Sequence, residues 1–278
     1  MKQRIITSVV LFAIALPILI FSKYIVYQAA LAFLSVVAVY EMLGVLAMRR
    51  ERFLSVPSYL IAVAMPFLSY FANNGRHLSY IMLILLVVFV YMLYIFAVAV
   101  FKKGALSVGS AASCFMLVSY ITVSFSALGL VRVLPGGALL FGLVFVAAWV
   151  TDIFAYFTGY FFGKHKLIPE VSPKKTVEGA VGGIVFSVIG FVLYGLVVDI
   201  VTDYTARYLV LAVMGLVLSV VSQIGDLTAS LVKREHGVKD YGFIFPGHGG
   251  VMDRFDSIIA VSMPLFVIAV LATPFVIA

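Results

Sequence analysis

The feature that most constrains this chain is the recurrence of apolar runs about 20 residues long from one end to the other. A run of that length is what an α-helix needs to cross the hydrocarbon layer of a bilayer, where every backbone polar group must be satisfied inside its own segment. Charged residues make up 11% of the chain and apolar ones 64%. A soluble domain carries about 25% charge, so the expected fold is an all-α, polytopic integral membrane protein. The runs predict about nine spans, at 5–21, 25–48, 53–71, 78–101, 107–131, 138–162, 178–198, 207–232 and 254–276. Lys2 and Arg4 precede the first in the manner of a secretory signal, but no small-residue cleavage site follows, so it is expected to be a retained helix.

The basic residues then set an orientation. With nine spans, fifteen of the 19 Lys and Arg residues fall on the side of the N-terminus and four on the other. The positive-inside bias puts the N-terminus in the cytoplasm and the C-terminus outside. The net charge of +7 is therefore read as a membrane signal and not as a nucleic-acid one. Cys114 is the only cysteine, so an intrachain disulfide is excluded. Segment 1–131 carries almost no charge within its spans, Glu41 near a helix end being the exception, and is expected to be a scaffold. Segment 132–278 holds the polar material, with two longer cytoplasmic loops at 163–177 and 233–253.

Intramembrane charge is costly and marks function by default. Asp152, Tyr156, Gly159 and Gly163 fall on one face of a helix, and the glycines invite close approach of another backbone. Next, Lys164, Lys166, Lys174 and Lys175 gather before a helix expected to start near Thr176. A helix N-terminus with lysines around it suits phosphate. Ser172 and Thr176 can cap that helix or donate to an anion. Ser222, Gln223, Asp226, Ser230 and Lys233 form a polar stripe on an apolar helix, which ought to face water. Arg234, Lys239 and Asp240 follow, then the turn Pro246-Gly-His248-Gly249-Gly250, then Asp253, Arg254 and Asp256. Asp226 and Asp253, from separate helices, are hard oxygen donors that suit Mg²⁺, which binds through one or two carboxylates plus substrate phosphates.

This combination of carboxylates, clustered Lys and Arg, and a cytoplasmic membrane surface points to phosphoryl or nucleotidyl transfer, whose demands are positioning and charge neutralisation. Neither a Walker A pattern nor an H-E-x-x-H zinc pattern is present. An ion-coupled transporter with Asp152 and Asp226 on its path is the reading from another class, although the charge lies at one end of the spans.

The stretch from Ser230-Leu-Val-Lys233-Arg234 through Lys239-Asp240 to Pro246-Gly-His248-Gly249-Gly250-Val-Met-Asp253-Arg254-Phe-Asp256 resembles the signature of the phosphatidate cytidylyltransferases, also called CDP-diacylglycerol synthases. Asp152-x-x-x-Tyr156-x-x-Gly159 and Ser172-Pro-Lys-Lys175-Thr176-x-Glu178-Gly179 are similar to that family's other shared stretches. The resemblance implies that CTP and phosphatidic acid give CDP-diacylglycerol and pyrophosphate, with Mg²⁺ and a second, monovalent cation (K⁺), in a homodimer, and the compactness of the chain favours a bacterial plasma membrane over an endomembrane. The phosphatidate phosphate would attack the α-phosphorus. Asp226 and Asp253 would hold the metal, and Lys233, Arg234, Lys174 and Lys175 would neutralise the triphosphate. Arg254 would grip the lipid phosphate. Asp256 and Asp152 would orient basic partners or complete the metal shell. Ser172, Thr176, Ser230, Lys239, Asp240, His248, Gly249 and Gly250 complete the expected substrate contacts. A CTP-dependent polyprenol or phytol kinase is the nearest alternative, since related families share parts of such motifs. The D-G-x-x-A-R opening of the CDP-alcohol phosphotransferases is missing.

Overall fold

The computed structural model describes residues 25–71, 77–102, 106–245, 247 and 249–277. Among them are eight helices long and apolar enough to cross a membrane. The all-α, polytopic reading holds, and the span expected at 5–21 lies outside the described residues. Four helices come first: α1 (Ile25–Val45), α2 (Arg52–Phe71), α3 (His77–Phe101) and α4 (Val108–Val133). Helix α5 (Gly137–Phe145) runs through a π-helical turn (Val146–Val150) into α6 (Thr151–Phe162). Then come strands β1 (Lys166–Ile168) and β2 (Ser172–Thr176), α7 (Val177–Val201), β3 (Tyr204–Ala206), α8 (Tyr208–Glu235), α9 (Met252–Ala272) and β4 (Phe275–Ile277).

Helix starts fall within two residues of the expected ones. The last helix ends earlier than its apolar run, at Ala272. Thr273 takes a left-handed φ of 42° and Pro274 follows, and a residue before proline is pushed out of helical geometry. Apolarity carries no stop signal there, since the residues after Ala272 remain mostly apolar. The chain then pairs β4 with β3, and Arg207 donates its backbone N–H to Pro274 and its guanidinium to the Ala272 carbonyl. The loop at 163–177 likewise contains an antiparallel hairpin, β1 with β2.

The chain forms two compact units. The first comprises α1–α4 and His236–Arg254. Between apolar helices in lipid, hydrogen bonds donated by side chains act as specific ties. Here Tyr27 donates to the Leu128 carbonyl at 3.2 Å, Ser69 to Gln28 at 3.0 Å, and Ser126 to the Met65 carbonyl at 2.8 Å. Pro57 in α2 has no N–H to offer the carbonyl four residues back, and Tyr94 of α3 fills the gap at Phe53 with a 2.8 Å bond.

The second unit comprises Leu134–Glu235 and the chain from Phe255 onward. Its α6 and α7 pack backbone on backbone. A Cβ on Gly179 would meet the Ala155 carbonyl at 2.6 Å, and one on Gly182 would strike Thr158. Helices α7 and α8 close similarly at Gly215, where a Cβ would lie 2.9 Å from the Val188 Cα. Gly225 of α8 has Ala260 and the Asp256 carbonyl of α9 over it. Small residues thus set four helices close enough for short polar side chains to meet.

Candidate active site

The second unit brings together much of the charge expected from the sequence. Asp226, on the polar stripe of α8, is ion-paired with Lys175 at the end of the hairpin. Asp152, one residue into α6, accepts a 3.3 Å hydrogen bond from the Ser257 hydroxyl of α9 and lies in the field of both Asp226 and Lys175. Asp256, one residue before that serine, feels the carboxylates of Asp226 and Asp152 and the ammonium of Lys233. Three helices and a hairpin therefore converge three carboxylates and two lysines within one unit.

Local sequence explains this convergence. The π turn at Val146–Val150 inserts extra backbone immediately before Asp152 and resets the face on which it emerges. Gly159 then presses against the Thr176 side chain and Gly179, which anchors the hairpin beside α6. Tyr156, one turn along α6 from Asp152, is 66% exposed and stacks on Tyr160. The Thr176 hydroxyl accepts the Gly179 N–H at 3.1 Å, so of its two expected roles it fills that of helix cap. Glu178 in turn holds His165, with 2.6 Å to Nδ1, and fixes the first residues of the hairpin. Lys174 points outward from the hairpin, exposed. Gln223 on the α8 stripe donates to the Ala180 carbonyl at 3.2 Å. The buried Ser222 hydroxyl, one turn before Asp226, makes no hydrogen bond among the described residues. Ser230 is half-buried and Arg234 exposed at the end of α8, while Ser172 is half-buried in β2.

The first unit holds the glycine-rich loop. Lys239 and Asp240 are exposed at its start; His248 lies outside the described residues. Phe245 and Gly249 exchange backbone hydrogen bonds of 3.0 and 3.2 Å, a tight closure for which Gly249 adopts φ 90°. Asp253 gathers the two ends: its Oδ2 accepts the N–H of Tyr241 at 2.8 Å and of Gly250 at 3.0 Å. Arg254 is exposed on the next position of α9.

The sequence reading missed one residue. Glu41 of α1 is buried, 3% exposed, and accepts the N–H of Val251 at 3.0 Å and of Met252 at 2.9 Å. The available signal was an acidic residue in an otherwise uncharged set of spans, but nothing local ties it to a loop 210 residues later.

Whether these residues suit a divalent cation can be judged from the donor set. Among the described residues no three Asp, Glu, His or Cys side chains group as a complete metal cage. Hard carboxylate oxygens with like-charged neighbours, as at Asp226, nevertheless fit Mg²⁺, which keeps waters and shares its shell with substrate phosphate. A zinc-type nitrogen and sulfur shell is not what these residues offer.

Comparison with known proteins places this arrangement. The model of the cytidylyltransferase family matches residues 2–272. A phosphatidate cytidylyltransferase of Staphylococcus epidermidis is 36% identical over 273 residues, covering 98% of this chain and 100% of the relative. One from Staphylococcus saprophyticus is 36% identical over 267 residues, and one from Staphylococcus aureus 34% over 265, each covering 95% of this chain and 97% of the relative. With the match running through the hairpin, the α8 stripe and the glycine-rich loop alike, this chain belongs to the cytidylyltransferase family.

Proposed function

We propose that this protein makes CDP-diacylglycerol and pyrophosphate from CTP and phosphatidic acid at a membrane. The observation that carries the reading is the convergence of Asp152, Asp226 and Asp256 with Lys175 and Lys233 on helices α6, α8 and α9 and the hairpin. Such a set handles phosphates and their counter-ions, and it does so in a chain of the cytidylyltransferase family.

The phosphatidate phosphate is already an anion. It can attack the α-phosphorus of CTP without a side chain to deprotonate it. One P–O bond forms to the lipid phosphate, the bond between the α- and β-phosphates breaks, and pyrophosphate leaves with its electron pair. The chain's part is to orient both phosphates and neutralise the charge that builds on the leaving group. Lys174, Lys233 and Arg234 serve that end, with Lys175 also holding Asp226 in place, and Arg254 takes the lipid phosphate. Asp226 and Asp253 keep the role of Mg²⁺ ligands assigned from the sequence. Bound Mg²⁺ would supply charge to the reacting phosphates. The active site faces the cytoplasm of a bacterial plasma membrane in this reading, where CTP is found, and the protein works as a homodimer with a K⁺ ion beside Mg²⁺.

The test is pyrophosphate release by purified protein in mixed micelles, with ATP and prenol controls. Release that requires CTP and phosphatidic acid together and stops with EDTA is expected. Turnover with a prenol acceptor alone would move the protein to the lipid kinases. Ion flux in liposomes without nucleotide, and no turnover with any acceptor, would make it a transporter.

A further inference from the structure

We propose that Glu41 is a positioning residue for this reaction, acting through the glycine-rich loop and Asp253. The inference rests on the reading above, in that it takes the loop to belong to the reacting centre.

The geometry is bidentate. One carboxylate oxygen takes the N–H of Val251 and the other that of Met252, two consecutive amides at the entry to α9. Amides at a helix start have no partner within the helix, and a negative charge there is favoured. The loop is shaped around this carboxylate. A methyl group added at Gly242 or at Gly250 would fall on the Glu41 carboxyl group. Asp253 then takes the N–H of Gly250 and of Tyr241. Three successive amides, at 250, 251 and 252, are thus divided between two carboxylates, one from the loop's own helix and one from α1. Glu41 fixes the backbone on which Asp253 stands, and with it the start of the helix that carries Arg254 and Asp256.

A cap for a helix can come from a Ser, Thr, Asn or Asp in the loop itself. Using a glutamate on a membrane span is costly by comparison. What the distant carboxylate adds is a fixed point outside the loop, so that a loop rich in glycine has one conformation. Misplacement of a reacting group by about 1 Å costs roughly 100-fold in rate.

The experiment is a set of variants, Glu41→Gln, Glu41→Asp and Glu41→Ala, with Asp253→Asn beside them. In Glu41→Gln, one accepting oxygen becomes a donor facing an N–H. We expect kcat for pyrophosphate release to fall roughly 100-fold, with KM for both substrates moved less than about threefold. Glu41→Asp should recover part of the rate. Hydrogen exchange should quicken in peptides covering 241–254 and stay unchanged in α4 and α7, which a general loss of folding would not produce. Gly250→Ala should be as damaging alone, and its added cost should shrink at least about tenfold in the Glu41→Ala background, where the methyl finds room. If Glu41→Ala does not fold, Gly242→Ala carries the test from the other side of the carboxylate, with the same drop expected. Wild-type kcat and exchange in Glu41→Gln, with Asp253→Asn inactive, overturn the proposal alone. Wild-type turnover in both removes the loop from the reaction and overturns the proposal with the reading beneath it.

Discussion

Two groups of carboxylates in this largely apolar chain, one running from buried Glu41 to half-buried Asp253 and the other from exposed Asp152 to half-buried Asp226 and Asp256, are held in opposite ways. Glu41 and Asp253 accept from the backbone amides of Val251, Met252, Tyr241 and Gly250, each in a loop or at a helix start. Asp152, Asp226 and Asp256 face one another, with Lys175, Lys233 and one serine hydroxyl between them. Amides are neutral donors that cannot leave, so Glu41, with both oxygens engaged, is held in place and shapes a loop to which Asp253 commits its Oδ2. Lysine side chains move, and like charges repel, so the second group keeps a demand for positive charge. The lesson is that an acidic residue in a membrane protein is classified by its partners more than by its burial.

The largest effect that would sharpen this contrast is at Asp226. Asp226→Asn keeps the shape and removes the charge that a divalent cation would use, a term of several kcal/mol in phosphoryl chemistry, or about 1000-fold in rate. Steady-state pyrophosphate release would measure it, and near-normal turnover would move Asp226 into the group that only shapes the fold. A smaller but more discriminating pair is Asp253→Asn against Asp256→Asn, read by thermal melting in detergent. Asp253→Asn turns an amide donor toward backbone N–H groups and should lose about 1–3 kcal/mol. Asp256→Asn removes a charge facing two others and should raise the melting temperature while activity falls. The same sign in both would erase the distinction. The smallest effect is at Thr176, whose hydroxyl caps α7. Thr176→Ala should cost about 1 kcal/mol, with kcat/KM changed less than about threefold. A loss of rate with no loss of stability would make that hydroxyl a substrate donor instead.

Much of this was legible in the sequence, and the physical reasons are uneven. Span positions were readable because a bilayer leaves the backbone no alternative to helix, so length and apolarity decide. The starts of α7 and α8 came within one residue, since a capping threonine and a charged flank mark them. The hairpin of β1 and β2 was not readable, because Lys166 to Thr176 shows no alternation of apolar residues and owes its form to Glu178 and Gly159. Asp152, Asp226 and Asp256 stand out in the sequence as charge in or beside apolar runs. Lys175 was expected at phosphate, and its ion pair with Asp226 depends on a fold that no spacing encodes. Glu41 was set aside with the scaffold because its partners are amides, which leave no trace in the side-chain sequence.

That last residue also bears on how the chain is made. Glu41 is synthesised 210 residues before Val251, the first amide it will bind. At roughly 5–20 residues per second, that interval is about 10–40 s. Throughout it, α1 carries a carboxylate without its final partners. Its place four residues from the end of the helix, at Val45, keeps it within reach of water while it waits. The same residue deeper in the span would oppose insertion by roughly 3 kcal/mol. The position of Glu41 thus reconciles the order of biosynthesis with a contact that closes only when the last helix arrives.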